Sequence, residues 1–373
     1  MVAKKTAFDG LVGDVINIIY AVKDSTPRGK AERKLKEIWL NCGLSIKKGD
    51  FDLLPRLLNF RPRHYGYDVL LHLPVGLCDM DFYKKYDKIA WALNSELEME
   101  NVNGKLLMRV LNQSLKNMVP FELLDIPEKF SLPVPIGYSR AGLEWLDLAA
   151  APHLLVAGTP GSGKSNLLHC LCASLLDRAQ IYIIDLKRLE FAYLRGVAEI
   201  ATTENEAKSL LVTLNKEMNR RLLELESAGC VKIQDYEGEM DYIVCIIDEL
   251  AELQEDASQG LLNRLLRLSR ACGISIVAAT QRPSTTVISG DSRANFAAKV
   301  CYRVADEINS RMVLGESCSR AAYLPTTPGR AIFKWDKVRE VQTMFLPVAE
   351  AKHRLNSRGN NDALLQQDTL STT

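Results

Sequence analysis

Pro152 to Ser165 reads PHLLVAGTPGSGKS: a short apolar run suited to a buried strand, a glycine-rich turn, then Lys164 and Ser165 at the head of a helical run from Asn166 to Leu176. Gly158 to Ser165 matches GxxxxGK[ST] at every fixed position, in the strand-before and helix-after context that the motif requires. The glycines let the backbone curl so that successive N–H groups face phosphate oxygens, and the helix start adds the positive end of its dipole. Thr159, Pro160, Gly161, Ser162, Gly163, Lys164, Ser165 and Asn166 are therefore the candidate nucleotide-binding residues. In that pattern Lys164 reaches the β and γ phosphates and the Ser165 hydroxyl ligates Mg²⁺.

About 80 residues further on, Tyr242 to Glu249 (YIVCIIDE) is an apolar strand ending in two carboxylates. Acids at a strand end serve solubility as readily as chemistry, but after a sound phosphate loop the second reading prevails. Asp248 then holds the Mg²⁺ shell and Glu249 polarises the attacking water. Gly273 to Pro283 (GISIVAATQRP) is a third core strand ending in a polar pair, where Gln281 can report the γ phosphate or merely cap the strand. Together these residues specify an NTPase that hydrolyses, with Mg²⁺ as its cofactor.

Strands are expected at Leu154–Ala157, Ile181–Ile184, Tyr242–Ile247, Ile274–Ala279 and Lys299–Val304, separated by helices. Continuous apolar runs in that alternation indicate an α/β fold with a parallel-rich central sheet buried on both faces. The best-marked helix starts at the capping box of Thr203 and Glu206 and stops at Gly229. Arg330–Lys334 and Glu340–Phe345 suggest a closing hairpin, and Phe130–Leu146, with two prolines and two glycines around short β-like pieces, suits an inter-domain connector into an edge strand. The expected organisation is a helical, mildly basic segment over 1–63, a small α/β domain (βαβ-like or split) over 64–129, the ATPase domain over 130–348, and a polar, disordered tail over 349–373.

Length and composition fit this picture. The 373 residues allow two or three domains, and 47 Lys plus Arg against 46 Asp plus Glu leave a net charge of +1, so any polyanionic partner must meet a local patch. Nine cysteines without a CxxC pair read as reduced, cytosolic and mostly core. The apolar stretch Leu11–Val22 is interrupted and too short to span a bilayer, so no membrane insertion is expected.

PHLLVAGTPGSGKS, IIDLK (183–187), IIDELAEL (246–253), SRACGISIVAATQRPS (269–284) and INSRMVL (308–314) resemble, in this order, the motor domain of the FtsK/SpoIIIE DNA translocases. The resemblance implies a RecA-like P-loop motor that assembles as a hexameric ring around double-stranded DNA and pumps it with ATP. It makes Asp248 and Glu249 the Walker B pair, Gln281 the sensor and Arg311 the preferred arginine finger acting on the neighbouring subunit, with the structural alternative of a salt bridge on its own helix. It also places Ser284–Asn295 at the pore, so that Thr285, Thr286 and Arg293 become candidate DNA contacts. Tyr67–Leu77 (YDVLLHLPVGL) is similar to the region before the motor in coupling ATPases of Gram-positive conjugative elements. These likenesses imply DNA transfer or segregation of a mobile element, plasmid or phage, with a relaxosome or a recruiting, membrane-anchored protein as further partner. The alternative is a secretion ATPase of the type VII kind, driving protein export.

Overall fold

The computed structural model describes residues 26–122, 124–284, 287, 290–316 and 318–354. The chain forms two compact units, Met1–Ser114 and Leu115–Thr373. In the first, Thr26 caps the helix Pro27–Cys42 by accepting the Gly29 N–H at 3.1 Å, Pro27 occupies the first turn where its missing donor is harmless, and Gly43 (φ 68°) ends the helix. Then come strands β1 (Ile46–Lys48), β2 (Phe51–Leu53), β3 (Arg56–Arg63) and β4 (Gly66–His72), helices Asp79–Tyr83 and Tyr86–Leu93, and strands β5 (Glu96–Val102) and β6 (Lys105–Leu111). β1 pairs with β2, and a four-stranded antiparallel sheet runs β3-β4-β6-β5. Leu35, Trp39, Val69, Phe82, Ile89 and Met108 fill its core.

Two expectations are corrected here. Residues 46–63 are strand rather than helix, and the boundary expected after Arg63 falls inside the β3–β4 hairpin. Phe60-Arg61-Pro62-Arg63 imitates a turn because Pro62 and the arginines are poor interior strand residues, but β3 is an edge strand, where a residue without N–H breaks no ladder. The helices between β4 and β5 form the crossover of the split unit expected there, since β4 and β5 each pair antiparallel with β6 between them and so run parallel to one another.

The second unit carries β7 (Pro133–Ser139), β8 (Gly142–Asp147), β9 (His153–Ala157), β10 (Ala179–Ile184), β11 (Glu199–Ala201), β12 (Tyr242–Ile247), β13 (Ile274–Thr280), β14 (Ala298–Tyr302), β15 (Arg330–Lys334) and β16 (Val338–Thr343). They form one sheet in the order β11-β10-β12-β13-β9-β14-β15-β16-β7-β8, parallel from β11 to β14 and antiparallel beyond. The apolar runs are continuous because both faces are covered. On β12, Ile243, Cys245 and Ile247 face a core shared with helices Glu204–Ser227 and Asp256–Leu268, while Val244 and Ile246 face one shared with helix Lys164–Leu175. This is a RecA-like α/β architecture.

Its limits differ from those expected. Phe130–Leu146 is more than a connector: its β-like pieces are β7 and β8, with β8 at the edge of the sheet, and Pro135 fits inside β7 because the register shifts between Pro135 and Gly137. At the other end residues 348–354 are helical, not a disordered tail, with Ala351 buried and Arg354 lying 5.3 Å over the Phe121 ring. Residues from 355 on lie outside the described residues. Of the nine cysteines Cys78 is exposed, Cys42 and Cys230 are half-buried and the other six are buried, and all nine are free thiols. Among the described residues no helix is long and apolar enough to cross a membrane.

His153 opens β9 from a buried position, its Nδ1 accepting the Ile276 N–H at 3.1 Å. Burial lowers its pKa to about 4. The unfolded chain therefore takes up a proton below about pH 6.5 that the folded chain refuses, so this contribution to stability is complete above pH 6.5 and is lost as the pH falls towards 4. His153→Asn keeps an acceptor but not the titration. Its stability relative to the parent should rise by up to ~3 kcal/mol between pH 7 and pH 4 in paired urea unfolding curves, and a constant difference would exclude the effect.

Candidate functional site

Parallel strands end on one edge, so the loops after β9, β10, β12 and β13 converge there. The loop after β9 bends through Gly158 (φ 155°), Gly161 (φ 74°) and Gly163 (φ 118°) into the helix Lys164–Leu175. A Cβ on Gly158 would stand 2.6 Å from Tyr302 Cβ and 2.9 Å from Ser162 Oγ, so the close fit and the backbone angle both require glycine. Gly158→Ala should lower affinity for an ATP analogue at least about tenfold while the rest of the unit still melts cooperatively; equal affinity by calorimetry would refute this reading.

Lys164 is buried, its Nζ donating to the carbonyl oxygens of Gly158 (2.7 Å) and Thr159 (3.0 Å). Burial depresses its pKa to about 8, although the Glu249 and Asp248 carboxylates pull the other way. Asp248, just past β12, is buried and raised to about 6, first by burial and then by the charges of Asp185 and Glu190. Both ions are held at a cost that an anionic phosphate and a cation would relieve. The Ser162 hydroxyl is buried without a hydrogen-bond partner, as expected of a donor placed for an incoming oxygen. The loop thus fits a nucleotide phosphate, and Ser165 with Asp248 is a donor set fit for Mg²⁺.

Glu249 is also buried. Its oxygens each accept the Gln281 N–H at 3.2 Å, Oε1 accepts the Ala251 N–H at 3.4 Å, and Oε2 meets Lys187 Nζ at 3.4 Å. The structure therefore joins the candidate base to the candidate sensor through the main chain of Gln281. Lys187 and Asp185 have roles that strand-end reasoning overlooks. The buried Asp185 carboxylate accepts the N–H groups of Arg188 (2.9 Å), Glu190 (3.2 Å) and Phe191 (3.2 Å), fixing the turn that presents Lys187 to Glu249.

A cavity of about 670 Å³ opens beside the loop, lined by Pro160, Gly161, Gly163, Lys164, Ser165, Asn166, Glu190 and Gln281, and on its far side by Asn117, Met118, Pro328, Gly329, Gln342, Thr343, Met344 and Phe345. The far wall is joined to the loop by Gly329 N–H donating to Ser162 O at 2.8 Å, and to residues 119–121 by Phe345 N–H to Val119 O and Phe121 N–H to Phe345 O. Met118, Pro328 and Phe345 give it the apolar surface that a nucleobase needs. Segment 115–121 carries no periodic signal, and only its pairing with residues some 225 positions away reveals it.

Other motif residues are occupied by the protein itself. Asn166 exchanges two hydrogen bonds with the Leu346 main chain (2.7 and 3.2 Å), and Thr159 donates twice to Arg303 O, through its N–H (3.0 Å) and hydroxyl (3.2 Å). Arg311 lies outside the cavity lining, half-exposed and paired with Glu307 at 2.5 Å one turn earlier on its helix, and Glu307 also accepts the Tyr323 hydroxyl. Arg293 donates to Met312 O at 3.0 Å. Thr285 and Thr286 lie outside the described residues.

Residues 126–241 match the FtsK/SpoIIIE family. The chain carries an FtsK/SpoIIIE-family domain. The match extends to curated relatives: it is 35% identical over 250 residues to the DNA translocase FtsK of Chlorobaculum tepidum, covering 59% of this chain and 31% of that protein, and 30% identical over 287 residues to that of Tropheryma whipplei, covering 65% and 39%. The chain thus spans about a third of the length of these relatives. Among solved structures, the pCW3 conjugation coupling protein TcpA, in a monomer form with ATPγS, superposes with a TM-score of 0.62 at 25% identity, covering 88% of this chain and 99% of that one. The cytoplasmic domain of the type VII secretion ATPase EccC from Thermomonospora curvata superposes at 0.52 with 26% identity, covering 61% and 31%. The FtsK/SpoIIIE domain is a P-loop ATPase domain, and residues 115–125 extend its compact unit ahead of the matched range.

Proposed function

We propose that this chain hydrolyses ATP at the phosphate loop and uses the energy to move double-stranded DNA through a hexameric ring of its own copies, in the cytoplasm and in the service of DNA transfer or segregation. The observation that carries the chemistry is the convergence of Lys164, Asp248, Glu249 and the Gln281 main chain on one sheet edge beside a nucleotide-sized cavity. Lys164 exchanges loop carbonyls for phosphate oxygens. Ser165 and Asp248 would hold Mg²⁺, which when bound neutralises phosphate charge. Glu249 orients water and accepts its proton, and Gln281, joined to Glu249 by its own N–H, links the base to the γ position.

DNA as the substrate is supported by the relatives' name and by the extent of the likeness to the conjugation coupling protein. The likeness to EccC keeps protein export as the second reading. Steady-state ATPase with and without long duplex DNA separates them: the DNA reading expects stimulation of at least severalfold, and identical rates would favour export. A relaxosome or membrane-anchored protein would recruit the motor to its DNA. Thr285, Thr286 and Arg293 are the proposed phosphate contacts, grips that read no base.

Arg311 is the proposed trans finger, released from Glu307 when a neighbouring nucleotide comes within reach. Mixing Arg311→Ala with Lys164→Ala protein should recover part of the lost ATPase activity, because a mixed interface in which the Arg311→Ala subunit supplies the loop and the Lys164→Ala subunit the arginine is complete. Demonstrably mixed rings without recovery would assign Arg311 to its helix alone.

A further inference from the structure

The Glu249 carboxylate takes a main-chain N–H from Gln281 on both oxygens, another from Ala251, and the ammonium of Lys187. Three donors against about four acceptor sites leave this base little room for water, so the release of a donor frees it to accept a proton. The two N–H donors belong to the backbone, Gln281 just past β13 and Ala251 in the short 3₁₀ helix Leu250–Glu252 after β12, and do not swing as a side chain does. Lys187 can: its side chain is 36% exposed against 6% for that of Glu249, and it ends in a flexible four-carbon stem.

The backbone beneath Lys187 is rigid, however. Asp185 hooks three N–H groups of the following turn, Arg188 sits at φ 65° with its Nε donating to Thr202 O at 3.1 Å, and Glu190 from the same turn lines the phosphate cavity and lies 3.5 Å from His169 Nε2. One turn therefore presents a cation to the base and an anion to the phosphate space. Lys187 also adds to the positive field at Lys164. A triphosphate arriving between Lys164 and Glu190 offers the ammonium a denser anion than Glu249 does.

We propose that Lys187 is a positioning residue that clamps Glu249 in a resting arrangement, which a triphosphate in the loop weakens but does not fully release, so that hydrolysis stays slow in the absence of DNA. This rests on the ATPase reading above. Two measurements on the full chain test it. In the first, Lys187→Met should raise the DNA-free kcat severalfold with the KM for ATP within about twofold, whereas Lys187→Arg, which keeps the clamp, should stay near the parent rate. A Lys187→Met kcat equal to or below the parent's would overturn the proposal.

The second measurement needs no turnover. Thermal midpoints of the parent, Lys187→Met, Glu249→Gln and the double variant form a cycle that reads the contact itself. The single shifts should be strongly non-additive without nucleotide and less so with saturating ATPγS and Mg²⁺. Additivity in the nucleotide-free protein, or coupling undiminished by ATPγS, would also overturn the clamp. A parent without ATPase activity would refute the proposed function while leaving this cycle to decide the clamp.

Discussion

Glu249→Gln should bind ATP as tightly as the parent and hydrolyse it about 10²-fold to 10⁴-fold more slowly, the range over which a positioned general base contributes. The amide keeps the volume and an oxygen able to accept the Gln281 N–H, so fold and loop stay as they are, while proton acceptance is lost. Product should be undetectable in single-turnover experiments on the parent's timescale, and the bound triphosphate should accumulate. Parent-like turnover would remove Glu249 from the chemistry and leave Asp248 or a bound solvent network to activate water.

Lys164→Met should have the opposite signature. Without nucleotide this variant should be more stable than the parent, because the native state holds the ammonium at a pKa of about 8 and so opposes its charge at pH 7. A depression of about 2.5 pH units corresponds to ~3 kcal/mol. Loss of the two bonds to Gly158 and Thr159 returns ~1 kcal/mol each, leaving a net gain of ~1 kcal/mol. With ATP the order reverses. Ligand at a hundred times its dissociation constant stabilises the parent by about 2.7 kcal/mol, and the variant, lacking the cation that meets the phosphates, should show almost none of that shift. Thermal melts with and without ATPγS measure both effects. A variant that loses stability without nucleotide and keeps the ATPγS shift would mean that Lys164 braces the loop and contributes little to binding.

The parts of this site that could be read from sequence are those in which one residue type is demanded by local geometry. Gly158, Gly161 and Gly163 occupy positive φ angles, Lys164 and Ser165 open a helix, and Asp248 and Glu249 follow an apolar strand that comes after a sound phosphate loop. The same local rule is silent on the partners of the Thr159 and Asn166 side chains, Arg303 and Leu346, which lie more than a hundred residues away. Lys187 stands in a motif noticed for its resemblance alone. Its role depends on the adjacency of β10 and β12, which the sequence leaves open. Likewise the cavity wall at Asn117 and Met118 exists only because residues 119–121 pair with Phe345, and β3 was hidden by edge-strand residues that also serve turns.

The central claim is that ATP hydrolysis here moves duplex DNA. It is tested most directly by following ATP-driven displacement of a third-strand oligonucleotide from a linear duplex, with the full chain and with Glu249→Gln as control. The parent should strip the third strand at a rate that rises with ATP concentration, and Glu249→Gln should bind the same DNA and leave the triplex intact. Parent protein that hydrolyses ATP on this DNA without displacing the third strand would contradict the account.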